Sequence, residues 1–117
     1  MIDQLLTALR SGQVEPLLAP DAVLVCDGGG HVAAPLHPVR DAAEIARLLT
    51  LHCTAPWADL SVEDANSNQA IVVRRAGRTQ AVLCADGTDL RVTHLWLILN
   101  PTKLAAWNQV RPAGQSG

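Results

Sequence analysis

The chain has no tyrosine and no phenylalanine, one methionine and three tryptophans among 117 residues. Without tyrosine, an oxyanion hole built from a tyrosine and a carboxylic acid cannot be assembled. Cysteine is scarce: Cys26, Cys53 and Cys84, with no CxxC pair and no paired His/Cys spacing. That argues against a zinc site, and an odd number of thiols set among apolar residues reads as reduced cysteine in the cytoplasm. Basic clusters are missing too. Nothing exceeds Arg74-Arg75, and the formal net charge is −2, so nucleic-acid binding lacks its electrostatic footprint. No apolar run approaches the ~20 residues of a membrane-spanning helix. The opening "MIDQLLTALRSG" carries Asp3 and no basic leader, so no signal peptide is expected. Neither GxxxxGK[ST] nor a GxGxxG that opens a helix occurs, so the Gly28-Gly29-Gly30 run is not a phosphate loop. No metal and no cofactor is expected.

What is present is the composition of a single globular domain, 49% apolar and 17% charged, read here as residues 1–110 with a flexible tail at 111–117. Ile2, Leu5, Leu6 and Leu9 recur at helical spacing and predict an amphipathic helix stopped at Ser11-Gly12. "QVEPLLAP" reads as a short helix or turn closed by Pro20. "AVLVCD" is apolar without alternation, a strand buried on both faces. The triglycine breaks it, and Pro35 and Pro38 confine "HVAAPLHPV" to extended, edge-like chain. Asp41 and Glu44 have capping-box spacing. The helix behind them sets Ile45, Leu48, Leu49 and His52 on one face, with Glu44 and Arg47 off it, and ends near Cys53-Thr54.

From there the period is two. "ADLSVEDA", "QAIVVRR" and "RTQAVLCA" are strands, with a polar turn at Asn66-Ser67-Asn68 and a two-residue hairpin at Ala76-Gly77. A turn at Asp86-Gly87-Thr88-Asp89 leads to "LRVTHLWLIL", the longest strand, ended by Asn100-Pro101. "TKLAAW" supplies one last helical turn. The order is α+β, helices on one face of a curved sheet.

On the last strand, Val92, His94, Trp96 and Ile98 share one side and Arg91, Thr93, Leu95, Leu97 and Leu99 the other. Both sides are apolar near its end. With helices on one face, a second copy packed sheet to sheet is the economical cover for the other. Asp27 and His94 are the weak candidates for a general base, although Asp27 can simply bond the glycine amides and a lone histidine on an apolar strand face is usually packed. Asp59, Asp86 and Asp89 fall at strand starts and turns, where aspartate is common. His37, Trp57, His94 and Trp96 are expected to line a cup walled by Leu, Val and Ala, suited to a small apolar ligand.

Two segments carry a family resemblance. Asp27-Gly28-Gly29-Gly30-His31 follows a strand and precedes an extended segment ending in "PVRD" and a helix; Asn100-Pro101-Thr102-Lys103-Leu104 follows a long strand. With the "VVRRAGRTQAVL" hairpin between them, from about Leu5 to Leu104, they resemble the SnoaL-like domain at the C-terminus of a large group of extracytoplasmic-function RNA polymerase sigma factors. The resemblance implies the cone of nuclear transport factor 2, SnoaL cyclases and ketosteroid isomerase: a curved mixed or antiparallel sheet wrapped around N-terminal helices, often with a ligand pocket in the cup and a homodimer through the outer sheet face. It also implies that Asp27, Gly28, Gly29, Gly30, His31, Asn100, Pro101, Lys103 and Leu104 are contact positions. His31 departs from the family's Arg or Lys, and Thr102 from its acidic residue. The sequence opens at this domain, so the polymerase- and DNA-binding regions of a sigma factor are not expected. The expectation is a stand-alone, non-enzymatic module that binds a sigma factor, another regulatory protein or a small apolar ligand. The alternative is a small isomerase, cyclase or hydrolase acting on a carbonyl compound in the cup.

Overall fold

The first helix, α1 (Ile2–Ser11), buries Ile2, Leu5, Ala8 and Leu9 and ends at Gly12, whose φ of 75° is the left-handed stop its glycine allows. The structure, a computed structural model, describes residues 1–30, 34–65, 68–88 and 91–109. A single 3-10 turn, Glu15–Leu17, leads into β1 (Leu18–Asp27). Then come α2 (Ala42–Cys53), β2 (Asp59–Ala65), β3 (Asn68–Arg75), β4 (Arg78–Thr88), β5 (Arg91–Ile98) and α3 (Pro101–Gln109). The strands form one sheet in the order β1-β5-β4-β3-β2. β1 runs parallel to β5 and every other pair is antiparallel. This is the mixed-sheet α+β architecture the sequence predicts. Among the described residues no helix is long and apolar enough to cross a membrane.

The inner face of the sheet is the core. Leu24 of β1, Ile71 and Val73 of β3, Ala81 and Leu83 of β4, and Leu95 and Leu97 of β5 pack against Leu5 and Leu9 of α1 and Ile45, Leu48 and Leu49 of α2. Each fully buried leucine or isoleucine is worth about 1.5–3 kcal/mol by removal from water, so this layer orients both helices. Asp41 caps α2 by accepting from the Glu44 N–H at 3.2 Å. The Glu44 side chain pairs with Arg47 at 2.6–2.8 Å, so the cap works from the Asp41 side. The hairpin at Ala76-Gly77 has positive φ at both residues, 51° and 83°, as a two-residue type I′ connection needs.

Several local expectations change. β1 begins at Leu18 and runs through Pro20. It is an edge strand, its register with β5 shifts between Leu18 and Val23, and an edge tolerates proline. For the same reason β1 is not buried on both faces: Leu24 is fully buried, while Val25 is 40% exposed. Outside it, Val39 exchanges two backbone hydrogen bonds with Leu24 at 2.8 and 2.9 Å, so the proline-bearing segment does reach the sheet edge. β4 continues through Asp86-Gly87, where the register with β5 shifts and β5 carries one extra residue. That bulge turns Val92 into the core with Leu95, Leu97 and Leu99, leaving His94, Trp96 and Ile98 on the outer face. The final helix is longer than one turn. Asn100 Oδ1 accepts from the Thr102 N–H at 3.0 Å, and Pro101 sits at the first helical position, a strong start signal.

α3 lies on the outer face, its Leu104 packed with Ala70 and Val82. Toward β2 that face is closed by Glu63, which pairs with Arg74 through both carboxylate oxygens and accepts from Ser61 at 2.8 Å. The β1–β5 side remains open, with Trp96 41% exposed beside Val25.

Candidate functional site

Chemistry inside the cup would need an inward polar group. Among the described residues Thr79 is the one buried polar or charged residue; the inner layer is otherwise aliphatic, with Cys53 at its margin. Burial pushes the Cys53 thiol up to about 12, so it stays protonated. The four proposed cup residues are dispersed. His94 and Trp96 stack on the outer face, centroids 5.9 Å apart and planes 15° apart, with His94 Nδ1 2.9 Å from Thr93 Oγ1. His37 is exposed in the segment before Val39. Trp57 lies under the Arg75 guanidinium, 5.4 Å from its ring centre, and lines a cleft of about 400 Å³ at the sheet's end that none of the other three lines. Asp27 faces outward as well, but it is paired with Ile98, four positions along β1 from Val23, the partner of His94.

The signature segments, in contrast, meet. β1 and β5 are parallel and end together, Asp27 beside Ile98, and the Leu99 N–H donates to the Asp27 carbonyl at 2.7 Å. The loops leaving the two strands are therefore neighbours. Lys103 Nζ, 76 residues on from Asp27, donates to its Oδ2 at 2.5 Å. The Gly29 N–H donates to Asp27 Oδ1 at 3.1 Å. A Cβ on Gly29, whose φ is 62°, would lie 2.4 Å from Asn100 Cγ; only glycine admits the amide there. Gly30, with φ 79°, has nothing within 4 Å of a Cβ. The result is a clasp: Asp27 at its centre, glycine backbone on one side, the first turn of α3 on the other. His31 lies outside the described residues.

Electrostatically the clasp is a poor base. The Lys103 ammonium, and after it the Gly29 hydrogen bond, hold the Asp27 carboxyl below the usual aspartate value, so it is ionised with both oxygens occupied. The Lys103 side chain is 61% exposed, and Gly29 and Gly30 present uncovered backbone. Sequence reading found both halves of the clasp. It missed the polar wall of the cleft, Arg78 and Gln80 beside the end of α2; the one available signal was Leu51, an apolar residue on the solvent side of α2, 59% exposed.

No family model and no curated protein sequence matches this chain. Solved structures do. The extracytoplasmic-function sigma factor SigJ of Mycobacterium tuberculosis superposes over 87% of this chain with a TM-score of 0.63 and 21% identity. The match covers 41% of SigJ, so this chain spans less than half of that protein. IdmH of Streptomyces antibioticus, put forward as a polyketide cyclase, matches 90% of this chain and 93% of its own with a TM-score of 0.54 and 22% identity. A nuclear transport factor 2-like protein of unknown function from Burkholderia xenovorans matches 97% and 92% of the two chains, TM-score 0.58, identity 14%. At these identities the likeness establishes a fold.

Proposed function

We propose that this chain, a cone of the SnoaL-like and nuclear transport factor 2-like kind, is a non-enzymatic docking module that binds a sigma factor through the Asp27–Lys103 clasp. One observation carries the reading: two motifs far apart in sequence are held together at the surface by Asp27, Gly29, Asn100 and Lys103, away from an interior lined with aliphatic side chains. Similarity to SigJ supports the choice of partner class, and the partner contact positions are Gly29, Gly30 and Lys103, with His31 adjoining them in sequence. The biological setting is transcriptional regulation in the cytoplasm.

The test is a calorimetric titration against the polymerase- and DNA-binding regions of an extracytoplasmic-function sigma factor lacking its own C-terminal domain. Saturable binding is expected. Gly30→Asn is the informative variant, because asparagine tolerates the left-handed region and its side chain would project into open space. It should fold normally and weaken binding about tenfold or more, on the order of one well-placed contact at an interface centre. Absence of binding, or binding indifferent to Gly30→Asn and Lys103→Glu, overturns the reading. IdmH favours the catalytic alternative; turnover of ketones, epoxides or lactones abolished by Asp27→Asn or His94→Ala would establish it.

The same reading includes a homodimer through the open half of the outer face. α3 and the Glu63–Arg74 pair close the rest of that face, and a second copy presenting its own Val25–Trp96 strip is the self-complementary cover. Sedimentation at micromolar concentration should give a dimer, and Trp96→Glu a monomer of unchanged fold. A wild-type monomer would remove this part of the proposal and leave the clasp untouched.

A further inference from the structure

The cleft at the end of the sheet has a chemistry of its own. Its floor is apolar: Leu99 and Leu104 are each 5% exposed, and Leu51 and Trp57 keep 59% and 38% of their surface open beside it. Exposed leucine and tryptophan brought to one concavity are more informative than scattered surface hydrophobics. One wall is polar. Arg78 and Gln80, two apart on β4 and both exposed, line it. Among the described residues no carboxylate pairs with Arg78, and the lining contains no acidic side chain. Arg75, stacked on Trp57, adds a second positive charge nearby. His52 also borders the cleft; its burial, and after it the charge of Arg47, lowers its pKa, so at neutral pH it contributes hydrogen bonds and no charge. In a chain of net charge −2, the described residues leave one concavity free of acid and furnished with a guanidinium that none of their carboxylates pairs.

From this juxtaposition we infer that the cleft binds a small organic carboxylate with a compact apolar body, the carboxylate on Arg78 and Gln80 and the body on Leu51, Trp57, Leu99 and Leu104. The guanidinium fork matches a carboxylate in two parallel hydrogen bonds. A volume of about 400 Å³ suits a ligand at the small end of the usual range. Phosphate esters fit less well, since the cleft's lining among the described residues offers no glycine-rich cradle. This site is distinct from the clasp, although both use the first turn of α3: Pro101 and Leu104 face the cleft, while Lys103 holds Asp27.

The experiment is a titration of the full chain with naphthoate and octanoate, each beside its neutral amide, followed by calorimetry and by nuclear magnetic resonance of the Trp57 indole and Gln80 amide. Both acids should saturate below millimolar concentration and bind about tenfold or more tightly than their amides, the usual worth of a hydrogen bond to a charged group. Arg78→Ala should remove that preference without moving the thermal midpoint, because the side chain is exposed. Leu51→Ala should weaken acid and amide alike. Failure of both acids to bind, equal binding of the amides, or an acid preference that survives Arg78→Ala each overturns the inference. None of these results bears on sigma-factor docking, which is read by a different titration.

Discussion

Gly29→Ala should lower the stability of the chain by about 2–5 kcal/mol, and Gly30→Ala by only about 1–2 kcal/mol. Both glycines have positive φ, 62° and 79°, and placing an L-residue in that region costs roughly 1–2 kcal/mol. For Gly30 that strain is the whole cost, since a Cβ there meets nothing within 4 Å. For Gly29 the new Cβ would overlap Asn100, whose Cγ, Oδ1 and Nδ2 would lie 2.4–2.6 Å away. Overpacking of that kind typically adds another ~1–3 kcal/mol, and the displaced amide leaves the Thr102 N–H. Thermal unfolding resolves the difference, because ~1 kcal/mol moves the midpoint of a domain this size by several degrees. A double-mutant cycle sharpens it: Gly29→Ala combined with Asn100→Ala should cost less than the sum of the two single changes, because removing the amide removes the overlap. Equal costs at Gly29 and Gly30 would mean that the two motifs do not interlock.

The second large effect concerns the cup. Leu83 lies on β4, the central strand, is fully buried, and packs within the same cluster as the leucines of α1 and α2. In a close-packed core, Leu83→Ala removes methyl groups and leaves a cavity, a loss of about 2–5 kcal/mol. This is a large share of the ~5–15 kcal/mol that holds a domain together. Urea unfolding should show a lower midpoint at unchanged slope. A water-filled pocket over Leu83 would leave the side chain half solvated already, and the loss would fall below about 1 kcal/mol. The measurement therefore separates a packed cone, which serves as a scaffold for its surface, from an open cup that admits a substrate.

Local features of the fold were legible where one periodicity dominates. The α1 stripe, the Asp41 cap and the Ala76-Gly77 hairpin all follow from residues within a few positions of one another. Legibility failed where tertiary position overrides local habit. Pro20 signals a break in isolation, yet an edge strand with a register shift accommodates it. Asp86-Gly87 signals a turn, yet serves as a bulge point in a strand that continues to Thr88. The bulge then reverses the facing of Val92 relative to His94, which no alternation pattern foretells. The clasp was half legible. Its two segments stand out as motifs, but their meeting depends on β1 pairing with β5 in parallel, a contact fixed by the whole sheet. Likewise the scarcity of aromatic residues is compatible with an empty aliphatic cup or a filled one; only the packing of Leu5, Leu9, Ile45 and Leu49 against the strands decides.

We propose that the surface joining residues 27–30 to residues 100–104 recognises a sigma factor. Amide chemical-shift mapping on the intact chain tests it most directly, with the polymerase- and DNA-binding regions of such a factor added stepwise. The prediction is a set of saturating shifts centred on Gly29, Gly30 and Lys103, weakened by Gly30→Asn, with the amides of β3 unmoved. Shifts confined to the Val25–Trp96 strip or to the cleft around Trp57, or no shifts at all, would contradict it.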